Sequence, residues 1–457
     1  MLFHTIVSEG IAHNSYIVGS GGVAAVIDPR RDGEVYLDIA DRSETRITHI
    51  FETHRNEDYL TGSRELAAMC GAGIYHGAQL PFLYGTPVRE GDRFRLGSLE
   101  IAVLETPGHT EESISLVARD LAISPDPYMI FSGDTIFSGD IARTDFFGKD
   151  RNAEMAAKIF DSIDKKILAL GEGVIICPAH GAGSVCGGEI TDHPFTTVGY
   201  ERRTNPQIRM GRESFIRQRV AESPYVPPYF RQMEKVNLGD GPANWNSFRP
   251  RPLGIPQVRD LIGSGARILD IRSPTSFAAG HIPGSLSIWR EGISAFAGWF
   301  LSYENPIILV DDFNVGFDPI FRQLVRLGYD NVTGYLAGGF PAWFRGAQEI
   351  ATIQTCSVRQ LRARLENETP FILDVRDIKN YRSVGHIRGA HHSYVGELPH
   401  HLEEIPKHEP LVVCCDAGYK GSLAASLLAQ EGFRDITNVL GGMQAWTRAG
   451  FPIERSP

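Results

Sequence analysis

Three landmarks occur twice, in the same order, in the second half of the chain. Ile268-Leu269-Asp270-Ile271-Arg272 returns as Ile372-Leu373-Asp374-Val375-Arg376. Gly280-His281-Ile282-Pro283-Gly284 returns as Gly385-His386-Ile387-Arg388-Gly389. Ala337-Gly338-Gly339-Phe340-Pro341-Ala342-Trp343 returns as Leu440-Gly441-Gly442-Met443-Gln444-Ala445-Trp446. The offsets are 104, 105 and 103 residues. Solenoid units run to roughly 20–50 residues, so this period describes two tandem domains instead. Each copy alternates short β-rich runs with helical stretches, Asp318 to Leu327 and Ser422 to Gln430 among them. That alternation predicts an α/β fold with a parallel sheet in each copy.

The first half has a different rhythm. Four short β-rich runs each end in a turn that presents a histidine or an aspartate. Ile47 to Phe51 leads to Thr53-His54, and the alternating run Leu99 to Leu104 leads to Thr106-Pro107-Gly108-His109-Thr110. Tyr128 to Phe131 leads to Ser132-Gly133-Asp134-Thr135, and Val174 to Ile176 leads to Pro178-Ala179-His180-Gly181. Four strand ends of this kind would line these groups along one sheet edge, where a rigid scaffold positions loop ligands.

The order and the motifs resemble the metallo-β-lactamase superfamily, glyoxalase II branch, over about the first half of the chain. The resemblance implies an αββα fold with a metal at the strand ends. Thr53-His54-Arg55-Asn56-Glu57-Asp58-Tyr59 looks like the family motif T-H-x-H-x-D-H without its second and third histidines. The family normally has two metal sites. Asn56 removes a ligand from the first and Tyr59 one from the second, because a neutral amide and a phenol bind divalent metals poorly beside imidazole and carboxylate. His54, His109 and Asp134 stay intact. Two imidazoles and one carboxylate with open positions form the facial set of non-haem Fe(II) oxygenases. The persulfide dioxygenase branch looks similar, which implies one Fe(II) per chain. Asp58 is then expected to orient ligands or water from behind them. His180 either does the same or serves the fold alone. A decayed, metal-free site is the bland reading, and random loss would not spare this trio.

The repeated landmarks resemble rhodanese sulfurtransferase domains. In the second copy the apolar strand Leu411 to Cys415 opens a loop, Cys415-Asp416-Ala417-Gly418-Tyr419-Lys420-Gly421-Ser422, and a helix follows. This places Cys415 as the catalytic residue. Backbone N–H groups, that of Gly418 included, would curl around its sulfur, and the helix N-terminus would add positive potential. Together they are expected to lower the thiol pKa and to cradle a persulfide or a sulfur oxyanion. Strand alternation turns Cys414 away, into the core. Asp416 stands where the family often has Arg, and Lys420 where it has a second one. Lys420 keeps one positive charge for the substrate without the fork geometry, so a neutral or amine-bearing persulfide suits this loop better than thiosulfate. The position equivalent to Cys415 in the first copy is Asp311. A carboxylate cannot carry sulfane sulfur, so that copy is expected to be inactive, a spacer or docking surface.

At 457 residues about three domains are expected. The boundaries read as 1–222 for the metal domain, 223–251 for a linker, 252–350 for the inactive repeat and 353–457 for the active one. Thr204 to Ala221 reads as one helix closing the first domain, before the turn-rich Ser223 to Tyr229 and Gly239 to Pro242. A net charge of −10 with no basic tract argues against nucleic-acid binding. No apolar run approaches the ~20 residues of a membrane span. Met1 to Val7 has no basic region before an apolar block, unlike a secretory signal. The six cysteines are scattered without zinc spacing. A cytoplasmic chain with reduced thiols is the expectation.

Two further residues invite roles. Arg143-Thr144-Asp145-Phe146 resembles a segment of the glyoxalase II and persulfide dioxygenase branches. Arg143 either holds the carboxylate of a thiol substrate by bidentate pairing or pairs internally with Asp145. The glycine-rich turn Gly181 to Gly188 carries Cys186, a sulfur acceptor beside the metal or an inert loop thiol. The full reading is a multidomain α/β and α+β enzyme of sulfide detoxification. It would oxidise a glutathione-type thiol persulfide with O2 to sulfite, and pass sulfane sulfur through Cys415 to give sulfite or thiosulfate. The sequence leaves homo-oligomerisation open. A second reading is a zinc-dependent thioester hydrolase of glyoxalase II type with rhodanese binding modules. A third is a sulfur carrier without dioxygen chemistry.

Overall fold

The computed structural model describes residues 1–241 and 250–455. The chain forms two compact units, Met1–Ser247 together with Val325–Gly328, and Phe248–Leu324 together with Tyr329–Pro457.

The first unit is built on two six-stranded sheets. One runs in chain order from Leu2–Ser8 to Thr86–Val88, and its last four strands are mutually parallel. The other runs from Arg93–Leu96 to Thr196–Thr197 and is antiparallel except where Met129–Gly133 lies beside Ile175–Pro178. Alternate residues of each strand point to opposite faces, and here both faces are apolar. Val18, Ile27 and Phe51 of one sheet share a cluster with Ile101, Val103, Leu116 and Phe131 of the other. Their neighbours Ile17, Val26 and Ile50 pack with Tyr36, Ala40 and Leu66, from the helices Glu34–Arg42 and Ser63–Cys70. On the far side Val117, Ile130 and Ile176 pack with Ala156, Ile159 and Phe160 of the helix Lys149–Ser162. These layers are the expected αββα order. The four ligand-bearing turns do not share one sheet edge, however. His54 follows a strand of the first sheet, whereas His109, Asp134 and His180 follow strands of the second.

Two other expectations differ from the structure. Thr204 to Ala221 is not one helix: Val198–Thr204, Pro206–Arg209 and Arg212–Ala221 are separate. Pro206 forces Asn205 out of the helical region, to ψ 116°, and the Asn205 side chain accepts from the Gln207 and Ile208 N–H groups instead. Gly211, at φ 81°, makes the second break. The stretch 223–251, expected as linker, contains the helix Phe230–Asn237, which buries Phe230, Met233 and Asn237 in the first unit. Residues 242–249, Pro242 included, lie outside the described residues.

The second unit holds two five-stranded parallel sheets of the same order. The first is Arg251–Leu253, Val332–Leu336, Ile307–Val310, Arg267–Asp270, Leu286–Ser287. The second is Gln354–Ser357, Ile436–Leu440, Leu411–Cys414, Phe371–Asp374, His391–His392. The repeated landmarks have a physical reason. Arg272 donates to Asp270 at 2.6 Å and to the Gly280 carbonyl at 2.7 Å, and Arg376 does the same to Asp374 and Gly385 at 2.7 and 2.8 Å. The first landmark is thereby tied to the second. Gly339 and Gly442 have positive φ, and a Cβ there would collide with the Asp312 carbonyl in one repeat and that of Cys415 in the other. The repeats also touch. Ser287 N donates to Ser426 Oγ at 3.1 Å, the Ser287 and Ser422 hydroxyls are 3.0 Å apart, and the Trp289 and Tyr419 rings lie 5.1 Å apart. Among the described residues no helix is long and apolar enough to cross a membrane.

Candidate functional site

His54, His109 and Asp134 converge at the strand ends of the first unit. His109 Nε2 lies 3.5 Å from Asp134 Oδ2, and His54 Nε2 lies 3.7 Å from the same oxygen. All three side chains are buried. His109 Nδ1 sits 3.0 Å from the Arg143 carbonyl, which can only accept. The proton is therefore on Nδ1, and Nε2 presents a bare lone pair. His54 Nδ1 is 2.9 Å from Thr53 Oγ1, whose hydroxyl donates to Asp28 Oδ2 at 2.8 Å. The Thr53 oxygen thus accepts from Nδ1, and His54 Nε2 is also bare. Among the described residues His54 Nε2, His109 Nε2 and Asp134 Oδ2 have no hydrogen-bond partner. Buried polar atoms left unpaired cost stability. Three facing one another, with tautomers fixed from behind, fit a divalent metal ion. Burial pushes His54 down to about 3 and also lowers His109, so both rings are neutral, as metal ligands must be.

His180 is not a bare donor. Its Nδ1 lies 2.7 Å from Asp134 Oδ1, and its Nε2 lies 3.0 Å from Asp58 Oδ2, without the alignment of a hydrogen bond. Burial opposes charge on this ring, yet Asp134 and Asp58 together push it well above the ordinary histidine value. Burial would likewise raise Asp134, but the surrounding imidazoles, His180 foremost, hold it far below the usual carboxylate range. His180 therefore fixes which Asp134 oxygen faces the histidines. Tyr59, in place of the family histidine, hydrogen-bonds His13 Nε2 at 2.8 Å.

Glu57 is the residue that sequence reasoning missed. Glu57, His54 and His109 each offer a ligand atom within 4.8 Å of the others. Its position falls on an unspecified letter of the motif, directly after the lost histidine at Asn56. An acid beside a missing ligand was the available signal. Asn56 itself is buried, its amide nitrogen 3.3 Å from the His54 carbonyl and its Oδ1 without a partner among the described residues.

Arg143 closes onto Asp145 through two 2.7 Å bonds, the internal pair of the two readings. Cys186 is buried, and its sulfur lies within 4.8 Å of ligand atoms of His109 and Asp134, and of Asp58 and His180. Burial, reinforced by Asp58 and Asp134, pushes its thiol well up.

In the second unit Cys415 Sγ accepts from Gly418 N at 3.0 Å and Gly421 N at 3.3 Å, as a cradle requires. The thiol pKa is nevertheless raised, contrary to the expected lowering. Burial outweighs the backbone donors of Gly421, Gly418 and Ala417 and the charge of Lys420. Lys420 is partly spent on Asp416, 2.8 Å away. Cys414 lies in the core with Ile372, Val412 and Val439. In the first repeat the Asp311 carboxylate takes the cradle. It accepts from Asn314 N at 3.0 Å, Asn314 Nδ2 at 2.9 Å, Val315 N at 3.3 Å and Arg290 at 3.2 Å.

Comparison with known proteins agrees with this architecture. Residues 9–180 match the metallo-beta-lactamase superfamily, and residues 255–345 and 357–449 each match the rhodanese-like domain. The hydroxyacylglutathione hydrolase of Rhodospirillum rubrum is 31% identical over 220 residues, 47% of this chain and 77% of that protein. The mitochondrial persulfide dioxygenase ETHE1 of Homo sapiens is 28% identical over 206 residues, 42% of this chain and 70% of that protein. The crystal structure of a metallo-beta-lactamase from Staphylococcus aureus superposes with a TM-score of 0.65 at 31% identity, covering 74% of this chain and 98% of that one. The chain belongs to the metallo-beta-lactamase superfamily. Behind that fold it carries two rhodanese-like domains, and the combination marks an enzyme of sulfur metabolism with a metal-binding first unit.

Proposed function

We propose that the first unit oxidises a low-molecular-weight thiol persulfide of glutathione type with O2, and that Cys415 of the second repeat transfers sulfane sulfur. The observation that carries the reading is the trio of unpaired atoms, His54 Nε2, His109 Nε2 and Asp134 Oδ2, fixed from behind. Iron(II) held there, one per chain, would supply the redox chemistry that adds oxygen to the terminal sulfur. The reaction balances as one persulfide, one O2 and one water giving thiol, sulfite and two protons. His180, clamped between Asp134 and Asp58, keeps Asp134 turned toward the histidines throughout. The Cys415 thiolate would attack the outer sulfur of a second thiol persulfide and displace its thiol, leaving a Cys415 persulfide, with Gly418 N and Gly421 N donating to the Cys415 sulfur and Lys420 offering positive charge at the loop mouth. Attack of sulfite on the outer sulfur of that persulfide yields thiosulfate and returns the Cys415 thiolate. Asp311 leaves the first repeat without this step, as a support for the second. The 28% identity to a persulfide dioxygenase over 206 residues supports the reading.

A second reading, a zinc-dependent thioester hydrolase, is favoured by the buried group Asp58, His180 and Cys186, which could hold a second ion. One experiment separates them: metal analysis of the purified protein, with an oxygen electrode and glutathione persulfide. One equivalent of iron and persulfide-dependent oxygen uptake are expected. Two equivalents of zinc with thioesterase activity and no oxygen uptake would overturn the dioxygenase.

A further inference from the structure

We infer that Glu57 is a fourth protein donor to the metal, in the place vacated by the histidine absent at Asn56. The inference rests on the metal centre proposed above, though not on which metal or reaction it serves. Each of the three family positions has the same construction, one atom tied back to the protein and one bare atom facing inward. His54 is tied through Nδ1 to Thr53, His109 through Nδ1 to the Arg143 carbonyl, and Asp134 through Oδ1 to His180. Glu57 repeats this construction. Its Oε1 accepts from Arg55 Nη2 at 2.8 Å and from Arg55 Nε at 3.2 Å. Its Oε2 is buried, has no hydrogen-bond partner among the described residues, and lies 3.7 Å from His109 Nε2. That separation matches the 3.5 and 3.7 Å between Asp134 Oδ2 and the two imidazoles.

The anchor is itself held. Arg55 N donates to Glu112 Oε1 at 2.6 Å, and Arg55 Nη2 lies 3.3 Å from Glu234. A carboxylate serving only an ion pair would turn both oxygens to the fork of Arg55, as Asp145 does to Arg143. Glu57 instead offers the fork one oxygen and keeps the other inside.

A fourth donor changes the chemistry of the site. Two carboxylates neutralise a divalent ion in a buried setting, where uncompensated charge is costly. Substituting a carboxylate for an imidazole also moves the donor set toward the harder end of the divalent series, toward manganese and iron(II) and away from copper. It leaves fewer positions for exogenous ligands than three donors would, and so restricts what can bind together.

The test is metal binding by the full chain without turnover, with Mn(II) and Co(II) as probes after chelation. Glu57→Gln keeps the shape and one anchored oxygen but removes the charge. Its Mn(II) dissociation constant should rise about 100-fold, above the 10-fold lower end for residues that merely orient ligands. The visible bands of its Co(II) form should shift, since the ligand field loses a donor. Should Glu57→Gln fail to fold, Glu57→Asp carries the same readout. It keeps the charge but withdraws the oxygen by one carbon, and its Mn(II) constant should rise at least 10-fold with shifted Co(II) bands. A constant within threefold of the parent, or an unchanged Co(II) spectrum, overturns the inference. Neither probe requires iron or dioxygen activity, so failure of the dioxygenase reading and failure of the Glu57 assignment give different results.

Discussion

Asn237 carries three buried hydrogen bonds that hold the loop of His54 and Glu57, and its removal should be felt at the metal. Its amide nitrogen donates to the Asn56 carbonyl at 2.7 Å and the Tyr59 carbonyl at 2.8 Å. Its Oδ1 accepts from Thr61 N at 3.1 Å. The residue is 2% exposed, so water cannot replace its side chain without rearrangement. Each such bond contributes roughly 0.5–1.5 kcal/mol net, and a buried group left unpaired costs roughly 1–3 kcal/mol. Asn237→Ala should therefore destabilise the first unit by about 3 kcal/mol. For a unit of this size, at roughly 2–4 °C per kcal/mol, the transition should fall by about 6–12 °C. The assay is calorimetry of the chelated protein, where the metal adds nothing. A parallel Mn(II) titration should show about 10-fold weaker binding, the effect of disturbing what orients a ligand. A fall below about 2 °C would show that the loop holds itself, and would refute the reasoning.

Four other outcomes are expected. His109→Ala should lose the bound metal and persulfide-dependent oxygen uptake while sulfur transfer through Cys415 continues, measured by metal analysis, an oxygen electrode and a transferase assay. Cys415→Ser should abolish protein-bound sulfur after persulfide treatment, with no label on Cys414 by mass spectrometry. The same variant should release sulfite where the parent yields thiosulfate, and an unchanged product ratio would show that the two activities run independently. Burial raises the Cys415 thiol above the ordinary cysteine value, so its thiolate is scarce at neutral pH and grows as pH rises into the alkaline range. The initial rate of sulfur loading, followed by stopped flow, should therefore still be climbing at pH 9, and a plateau below pH 8 would contradict this.

Much of the site was legible because its chemistry is attached to local patterns. Each ligand-bearing turn follows a short β-rich run, so His54, His109 and Asp134 could be read as strand-end groups. Cys415 opens a loop between an apolar strand and a helix. The two landmark sets repeat because Arg272 and Arg376 tie distant backbone carbonyls to their own aspartates. What stayed hidden depends on the third dimension. Glu57 becomes a donor only because Arg55 holds its other oxygen. Asn237 acts on Asn56 across 181 residues of chain, from a helix that reads as linker. The pairing of strands into two sheets rather than one is decided by apolar residues on both strand faces, which a single run cannot assign to a partner. Burial around Cys415 reverses the effect anticipated from its loop, and burial is a property of the whole fold. The helix breaks are different: Pro206 and Gly211 were in plain view.

The Asp311 carboxylate has a consequence for how the second unit behaves in time. A loop that loads and unloads sulfur must exist in at least two states, and its backbone donors face a changing guest. In the first repeat the guest is part of the chain and never leaves. That loop has a carboxylate where the other has a thiol, so it offers nothing for the sulfur supply or for alkylating agents to modify at that position. The strand Leu286–Ser287 and Trp289, set beside the helix Tyr419–Gln430, thus give the Cys415 loop a neighbour whose own cradle holds no reactive sulfur.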